Sequence, residues 1–202
     1  MPELILASRS AARNALLAAT ALRFSASPAQ IDERALEAEV LGKSGTRQMV
    51  AEALAIAKAR AGAAAHPGAV VIGADQVLAL YGTLLHKPVT SENARRQLDQ
   101  LAGRTHQLHA GVALVKDGTV LWSAVETATL TMRGFSPAER DAVLAAEGEG
   151  IFDCVGAYRL EGPSVHLFER IEGDYFTILG LPLLPLLAAL RQHAPEVLGG
   201  FT

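Results

Sequence analysis

The sequence has a single cysteine, Cys154, among its 202 residues. One cysteine excludes an internal disulfide and any metal site built from several cysteines. It also fits a reducing compartment, so a cytoplasmic location is expected. Long apolar runs are missing too: residues 178–190, the most apolar segment, contain one glycine and two prolines. No run reaches the roughly 20 apolar residues of a membrane span, and no secretory signal pattern is present, so neither feature is expected.

An excess of positive charge is also absent. The 18 lysines and arginines and 21 acidic residues give a formal net charge of −3, which offers no general attraction to nucleic acid. The sequence lacks the motifs GxxxxGK[ST], GxGxxG, HExxH and GxSxG, which argues against several common nucleotide-binding and hydrolytic sites. Its histidines lack metal-ligand spacing, because His106 and His109 fall on opposite faces of a strand. The length suits one domain or two small lobes.

The first informative segment is a strand, a turn and a helix near the N-terminus. Residues 4–7 are apolar and predict a short buried strand. Ser10 is the natural N-cap of the helix that follows. A helix N-terminus after a hydroxyl-rich turn can bind an anion, and Arg13 adds a guanidinium one turn into the helix. The alternative, a capped helix with a solvent-facing arginine, remains open on these residues alone.

A second segment combines two carboxylates with a long helix. Asp32 is interpreted as the N-cap of a helix that begins near Arg34. Residues 46–65 predict a helix capped by Thr46. Its expected apolar stripe consists of Met49, Val50, Ala53, Leu54 and Ala57. Lys58 lies at the edge of this stripe, where a lone lysine is usually solvated.

The run 69–72 is fully apolar and predicts a central strand buried on both faces. We expect this strand to end at Gly73 and Ala74, which places Asp75 and Gln76 at its exit, where α/β proteins bind ligands. A buried aspartate must be paired or bind a cation, so a functional role is expected for Asp75. Lys87 is held extended by the following proline and is a candidate to point into a cleft.

Later segments contain further local signals. Asp117-Gly118 predicts a hairpin, and Ser136 with Glu139 forms a capping box. Residues 165–168 are expected to form a short strand and residues 169–175 a charged turn. A last strand and a helix over residues 182–191 would close the domain, with a frayed tail from about residue 194.

The polar candidates at turns and strand ends combine cations with a few acids. They are Ser8, Ser10, Arg13, Glu33, Lys58, Asp75, Gln76, Lys87, Arg159 and Glu161. Cations and helix-terminal amides can hold phosphate oxygens, while carboxylates bind Mg²⁺ or activate water. This mixture indicates metal-assisted attack of water on a phosphoanhydride.

These residues lie within motifs that resemble, in order and over nearly the whole chain, those of the Maf family of nucleotide pyrophosphatases. The motifs are Leu4-Ile5-Leu6-Ala7-Ser8-x-Ser10-x-x-Arg13, Ile31-Asp32-Glu33, Gly73-Ala74-Asp75-Gln76, Lys87-Pro88, Gly103-Arg104-Thr105-His106, Gly156-Ala157-Tyr158, Glu161-Gly162, Glu172-Gly173-Asp174-Tyr175-Phe176 and Gly180-Leu181-Pro182-Leu183. Each motif is weak alone, but their joint order is specific.

The resemblance implies one domain over residues 1–202 with an elongated mixed α/β fold. Helices would flank the sheet, and two lobes would enclose a cleft, as in the inosine triphosphate pyrophosphatases. It implies cleavage of a nucleoside triphosphate to the monophosphate and pyrophosphate with Mg²⁺ or Mn²⁺, in a homodimer. Asp75, Glu33 and Lys87 would be catalytic, and Asp75 and Glu33 would also be the metal-binding acids. Ser8, Ser10, Arg13 and Lys58 would hold the triphosphate.

The resemblance also assigns base specificity to three positions, here Ala12, Gln76 and Glu161. Two of them match the 7-methyl-GTP type, which carries tryptophan, glutamine and glutamate, rather than the dTTP/UTP type, which carries arginine, threonine and glutamine. A carboxylate can accept hydrogen bonds from the guanine N1 and N2 edge. Ala12 departs from the pattern, because it replaces an aromatic residue that could stack on a charged base.

Two other functions remain open at this stage. One is a non-catalytic nucleotide-binding regulator of cell division or septum formation, which Glu33, Asp75 and Lys87 argue against because a pure binder needs no acid beside a metal. The other is a nucleic-acid-binding module, which the acidic balance argues against.

Overall fold

The computed structural model of the protein describes residues 3–201. Within this range the strands are β1 (Leu4–Leu6), β2 (Ser25–Ala26), β3 (Val70–Leu80), β4 (Thr83–Leu85), β5 (Thr105–Lys116), β6 (Thr119–Met132) and β7 (Phe168–Glu172). The helices are α1 (Ala11–Ala18), α2 (Glu33–Gly42), α3 (Arg47–Ala65), α4 (Ser91–Leu101), α5 (Pro137–Glu147), α6 (Tyr175–Ile178) and α7 (Leu183–His193). Short 3₁₀ segments occur at Gly148–Asp153, Val155–Ala157, Pro163–Leu167 and Pro195–Val197.

The strands form a mixed sheet in the order β2-β1-β3-β5-β6-β7, with β4 paired to β3. The pairs of β1 with β2 and with β3 are parallel. The pairs β3–β4 and β6–β7 are antiparallel. The predicted α/β class, a mixed sheet flanked by helices, is confirmed. None of the helices in residues 3–201 has the length and apolar character needed to cross a bilayer.

The chain divides into two compact units. The first comprises residues 3–76, 110–126 and 175–201, and the second comprises residues 77–109 and 127–174. A single domain over residues 1–202 stays a prediction, and residues 1, 2 and 202 lie outside the described range.

In the first unit, alternating strand residues build two separate apolar cores. Leu4, Leu6, Val70 and Ile72 pack with residues of α1 and α7. Ile5 and Val71, which have the opposite parity, pack against the alanines of α3. Successive side chains of a strand point to opposite faces, so this pattern places helices on both faces of the sheet.

The helix α3 lies unusually close to the strands beneath it. A Cβ atom added to Gly73 would come within 2.1 Å of the Ala55 carbonyl oxygen, and one added to Gly111 within 2.3 Å of the Ala51 oxygen. The predicted stripe is confirmed at Val50 and Leu54, which are buried, and is wrong at Met49, which is 52% exposed. The small residues at positions 51, 55, 59 and 63 complete the buried face, because small side chains permit this close backbone approach.

In the second unit, the predicted capping box of Ser136 and Glu139 at the start of α5 is confirmed, but the segment after residue 163 is not as predicted. Pro163–Leu167 is a 3₁₀ helix rather than a strand, and Phe168–Glu172 is the strand β7 rather than a charged turn. This strand lies at the end of the sheet order and is mostly exposed. A strand at the edge of a sheet can contain charged residues, because one side of it faces solvent. The charged composition of this segment therefore suggests a turn, although the segment is a strand.

The C-terminal segment also differs from the prediction. The last strand is absent from the described residues, because Tyr175–Ile178 forms the short helix α6 before α7 begins at Leu183. Ala194, Val197 and Leu198 are buried in the first unit's core. The expected frayed tail is therefore wrong for residues 194–198, since these apolar side chains anchor the backbone.

A buried histidine in the second unit makes stability sensitive to acid. His106 is 1% exposed, and its Nε2 lies 2.8 Å from the hydroxyl oxygen of Tyr158. Its Nδ1 has no hydrogen-bond partner among the described residues. Burial lowers the pKa of His106 from 6.5 to about 4, because the charged imidazolium loses its hydration.

We expect the free energy of unfolding to fall as the pH drops from about 6.5 to about 4. In this range the unfolded chain binds a proton at His106 that the folded protein does not, so stability is full above the range and decreases through it. A shift from 6.5 to about 4 limits the loss from this group to about 3 to 4 kcal/mol. Urea unfolding at several pH values measures it. The decrease of the unfolding free energy with falling pH should be shallower in His106→Gln than in the wild type. It should be unchanged in the control His166→Gln, which alters an exposed histidine. Equal pH dependence of the unfolding free energy in the two variants would contradict the assignment to His106.

Candidate functional site

The site in the first unit begins at the N-terminus of α1. The Ser10 hydroxyl accepts a hydrogen bond from the Arg13 amide at 3.3 Å, which confirms the predicted cap. The Ser10 amide donates to the Ser8 hydroxyl at 3.2 Å, and Ser8 is buried. The first amides of a helix have no intrahelical acceptor and carry the positive end of its dipole. This end of α1 is therefore suited to an anion.

Arg13 does not point to solvent. Its Nε donates to the Gly180 carbonyl at 2.7 Å and its Nη1 to the Ala74 carbonyl at 2.9 Å. Burial lowers the pKa of Arg13, while the negative charges of Asp75 and Glu33 oppose that shift. The guanidinium thus ties the turn after α6 to the strand residue that precedes Asp75.

The central contact of the site joins two acids through one ammonium. Lys58, in α3, forms ion pairs with Asp75 and, at 2.8 Å, with Glu33. The side chains of Lys58 and Asp75 are 12% and 11% exposed, whereas Glu33 is 54% exposed. Lys58 is therefore not the solvated lysine that its position on the helix suggests. Asp32 caps α2 as predicted, which leaves Glu33 as its first helical residue.

The predicted position of Asp75 is wrong in one respect. Asp75 and Gln76 lie inside the eleven-residue strand β3, not at its exit. The parallel pairing with β1 ends at Ile72, and β3 then continues to an antiparallel pair with β4. Asp75 and Gln76 therefore follow the end of the parallel part of β3, although they do not lie at the end of the strand itself.

The side-chain amide of Gln76 is fixed by the backbone around α6. Its Nε2 donates to the carbonyls of Thr177 and Ile178, each at 3.0 Å. Gly180 adopts φ +87°, which L side chains rarely adopt, and a Cβ atom there would make a tight contact of 3.2 Å with the Arg13 guanidinium. Gln76 and Arg13 therefore both hold the turn that follows α6. Ala12, the third residue of this region, is partly exposed in the first turn of α1.

The second unit holds Lys87 and Glu161, and both are exposed. Their charges act on the thiol of Cys154, whose pKa is raised first by burial and then by Glu161, while Arg159 and Lys87 oppose the rise. The backbone on either side of Lys87 is held by α4: the Gln97 amide donates to the His86 carbonyl, and the Asn93 amide donates to the Pro88 carbonyl at 2.9 Å.

Sequence reasoning missed two residues of the second unit, Glu147 and Ser164. Glu147 is buried at the end of α5 and forms an ion pair with Arg159 at 2.6 Å. Ser164 donates to the same carboxylate from its amide and its hydroxyl. The local sequence gives no signal for this cluster, because a glutamate before glycine at a helix end is ordinarily solvated.

A metal ion would find oxygen ligands in the first unit. Glu33 and Asp75 converge on one ammonium, so they can converge on a divalent cation. No group of three or more histidine, cysteine or acidic side chains suited to a metal occurs in residues 3–201. The two carboxylates fit Mg²⁺, which commonly takes one or two protein carboxylates and completes its shell with water and phosphate oxygens.

An α/β protein with a helix N-terminus suited to anions beside an acid–lysine–acid contact is typical of enzymes that act on phosphorylated small molecules. The chain belongs to the Maf-like protein family, whose model matches residues 3–193.

Three relatives illustrate the similarity. A 7-methyl-GTP pyrophosphatase of Brucella abortus is 48% identical over 191 residues, covering 95% of this chain and 96% of the relative. A nucleoside triphosphate pyrophosphatase of Bradyrhizobium diazoefficiens is 52% identical over 190 residues, covering 94% and 93%. A 7-methyl-GTP pyrophosphatase of Mesorhizobium japonicum is 50% identical over 189 residues, covering 94% and 95%.

Proposed function

We propose that this protein is a nucleoside triphosphate pyrophosphatase that hydrolyses its substrate to the monophosphate and pyrophosphate. The observation that carries the proposal is the contact of Lys58 with Glu33 and Asp75 in the same unit as the α1 N-terminus. The names of the relatives support the same reaction. We further propose that the substrate resembles 7-methyl-GTP. The relatives alone do not select this substrate, because those named 7-methyl-GTP pyrophosphatase and those named nucleoside triphosphate pyrophosphatase are about equally similar to this chain.

The proposed roles follow the chemistry of each side chain. Asp75 is nine-tenths buried and is the base for the attacking water or a ligand of the metal, with Glu33 as the second acid. Ser8, Ser10 and Lys58 bind phosphate oxygens through hydroxyls, helix amides and an ammonium. Arg13 contributes positive charge and fixes the turn at Gly180. Lys87, in the second unit, is proposed as a further catalytic cation.

A Mg²⁺ or Mn²⁺ ion held by Asp75 and Glu33 would neutralise phosphate charge and increase the acidity of water. Lys58 forms ion pairs with both acids, so its positive charge offsets the repulsion between the two carboxylates. With such an ion held by the two acids, the ammonium of Lys58 would be available to phosphate oxygens. The chain therefore compensates these carboxylates before and after the substrate binds.

Specificity is proposed to rest on Ala12, Gln76 and Glu161. Glu161 accepts hydrogen bonds from a guanine-like edge and repels the carbonyl oxygens of uracil or thymine. Because the Gln76 amide nitrogen donates to the backbone near α6, this residue acts through its Oε1 or by fixing that turn. Ala12 leaves more space than an aromatic residue would. The homodimer, the cytoplasmic location, and the cleft and likeness to inosine triphosphate pyrophosphatases stay predictions.

We expect the purified protein with Mg²⁺ to release pyrophosphate from 7-methyl-GTP at least about tenfold more efficiently than from UTP or dTTP. The measurement is kcat/KM for pyrophosphate release across the common nucleoside triphosphates and 7-methyl-GTP, repeated with Mn²⁺. Preference for a pyrimidine would contradict the role of Glu161 while leaving the reaction class intact. No release from any nucleotide with either metal would contradict the enzyme and favour the non-catalytic regulator, which the relatives' names do not favour.

A further inference from the structure

Glu147 is a carboxylate in an unfavourable position. It is the last residue of α5, and its side chain is fully buried. Burial of a charge is costly, and the C-terminal end of a helix carries negative partial charge that repels a carboxylate. A residue of this kind is stable only where nearby donors compensate its charge.

The compensation comes from one short loop. Oε2 of Glu147 accepts from Nε of Arg159 at 2.8 Å and lies 2.6 Å from Nη2 of the same guanidinium. Oε1 accepts from the Ser164 amide at 2.8 Å and from its hydroxyl at 2.6 Å. Burial raises the pKa of Glu147, but these hydrogen bonds outweigh it and lower the pKa. The carboxylate is therefore ionised and bound to both ends of the loop.

The two bound residues bracket Glu161. Arg159 precedes it by two positions and Ser164 follows it by three. Between them, the Gly162 amide donates to the Arg159 carbonyl at 3.2 Å, which closes a turn. A Cβ atom at Gly162 would lie 2.7 Å from Oε1 of Glu147, so the loop packs directly on the carboxylate. Glu161 itself stays exposed on this fixed turn.

We propose that Glu147, through Arg159 and Ser164, is a positioning residue that fixes Glu161 for recognition of the nucleotide base. The inference rests on the proposed function, because it gives Glu161 its role there. A carboxylate favours hydrogen-bond donors on a base over acceptors, and it discriminates between them more strongly when its direction is fixed. Glu147 supplies that fixation from the end of a helix, which is more rigid than the loop.

The experiment compares Glu147→Gln with Glu161→Gln, the double variant, and Glu149→Gln as the matched control. Glu149 is exposed two residues away and undergoes the same chemical change. For each protein, kcat and KM are measured with 7-methyl-GTP and with UTP, together with the midpoint of thermal unfolding. Ser164→Ala is a second, milder variant that removes one hydroxyl donor and keeps the buried charge.

We expect Glu147→Gln to reduce the ratio of kcat/KM for 7-methyl-GTP over UTP by about tenfold, through KM for 7-methyl-GTP, with kcat within about threefold. Ser164→Ala should reduce the ratio in the same direction. The ratio for the double variant should be little lower than that for Glu161→Gln alone, because both changes remove the same interaction with the base. Glu149→Gln should match the wild type.

A lower unfolding midpoint with an unchanged ratio, or additive losses in the double variant, would overturn the positioning role and leave the enzyme assignment intact. A wild-type protein that prefers UTP would overturn the roles of both Glu161 and Glu147. Absence of pyrophosphate release from the wild type with either nucleotide would instead show that the proposed function has failed.

Discussion

Replacement of Asp75 by asparagine is expected to reduce kcat/KM for pyrophosphate release by at least about 10³-fold. The substitution keeps the size of the side chain but removes its negative charge. Asp75 is the most buried carboxylate of the site, and its charge pairs with the Lys58 ammonium. Asparagine can neither accept a proton from water nor hold a cation with the strength of a carboxylate. The measurement is steady-state pyrophosphate release with the best nucleotide of the panel.

Folding should survive this change, because Lys58 retains Glu33 as a partner. Thermal unfolding and circular dichroism of the variant check this point. Asp141→Asn is the matched control: it breaks ion pairs with Arg95 at 3.0 Å and Arg140 at 2.9 Å on an exposed surface. It should leave turnover unchanged. Substantial turnover by a folded Asp75→Asn protein would exclude Asp75 as the essential acid.

Replacement of Lys58 by methionine is expected to reduce kcat/KM by about 10²-fold. Methionine preserves most of the aliphatic chain of the lysine but removes the ammonium between the two acids. The loss should lie mainly in kcat if the ammonium stabilises charge that develops on the phosphates, and mainly in KM if it only binds them. Lys58→Arg should recover little activity, since a planar fork does not replace a point charge held between two carboxylates.

Lys43→Met provides the comparison for Lys58. Lys43 also forms an ion pair, with Glu39 at 2.7 Å, but its side chain is 74% exposed. Such a surface pair contributes little to stability, so neither activity nor the unfolding midpoint should change. Equal effects of the two methionine variants would mean that the Lys58 ion pairs are only another surface contact and would contradict its role.

Arg13 and Gln76 have a structural role in addition to any contact with the substrate. Both side chains hold the segment after α6, through Gly180 for Arg13 and through Thr177 and Ile178 for Gln76. Substitutions at these two positions therefore change the turn as well as any substrate contact. Lys58 and Asp75 are cleaner tests of the chemistry, because their mutual contact is made by side chains alone.

The sequence by itself determined the local features of the fold. Ser10, Asp32, Thr46 and Ser136 cap their helices as predicted. Asp117 and Gly118 both adopt positive φ in the predicted hairpin. These features depend on a hydroxyl, a carboxylate or a glycine within a few residues of its partner, so a short pattern contains them. The ordered motifs likewise identified the family, which the family model confirms.

Only the tertiary structure decided which distant groups meet. The pairing of Lys58 with both Glu33 and Asp75, the contact of Arg13 with Gly180 across 167 positions, and the burial of Glu147 have no local signature. The full extent of the buried face of α3 was also undetermined: Val50 and Leu54 are buried as predicted, but Met49 is exposed, and small residues lie where the helix approaches Gly73. Such contacts depend on how sheet and helices pack, and packing is a property of the whole fold rather than of any segment.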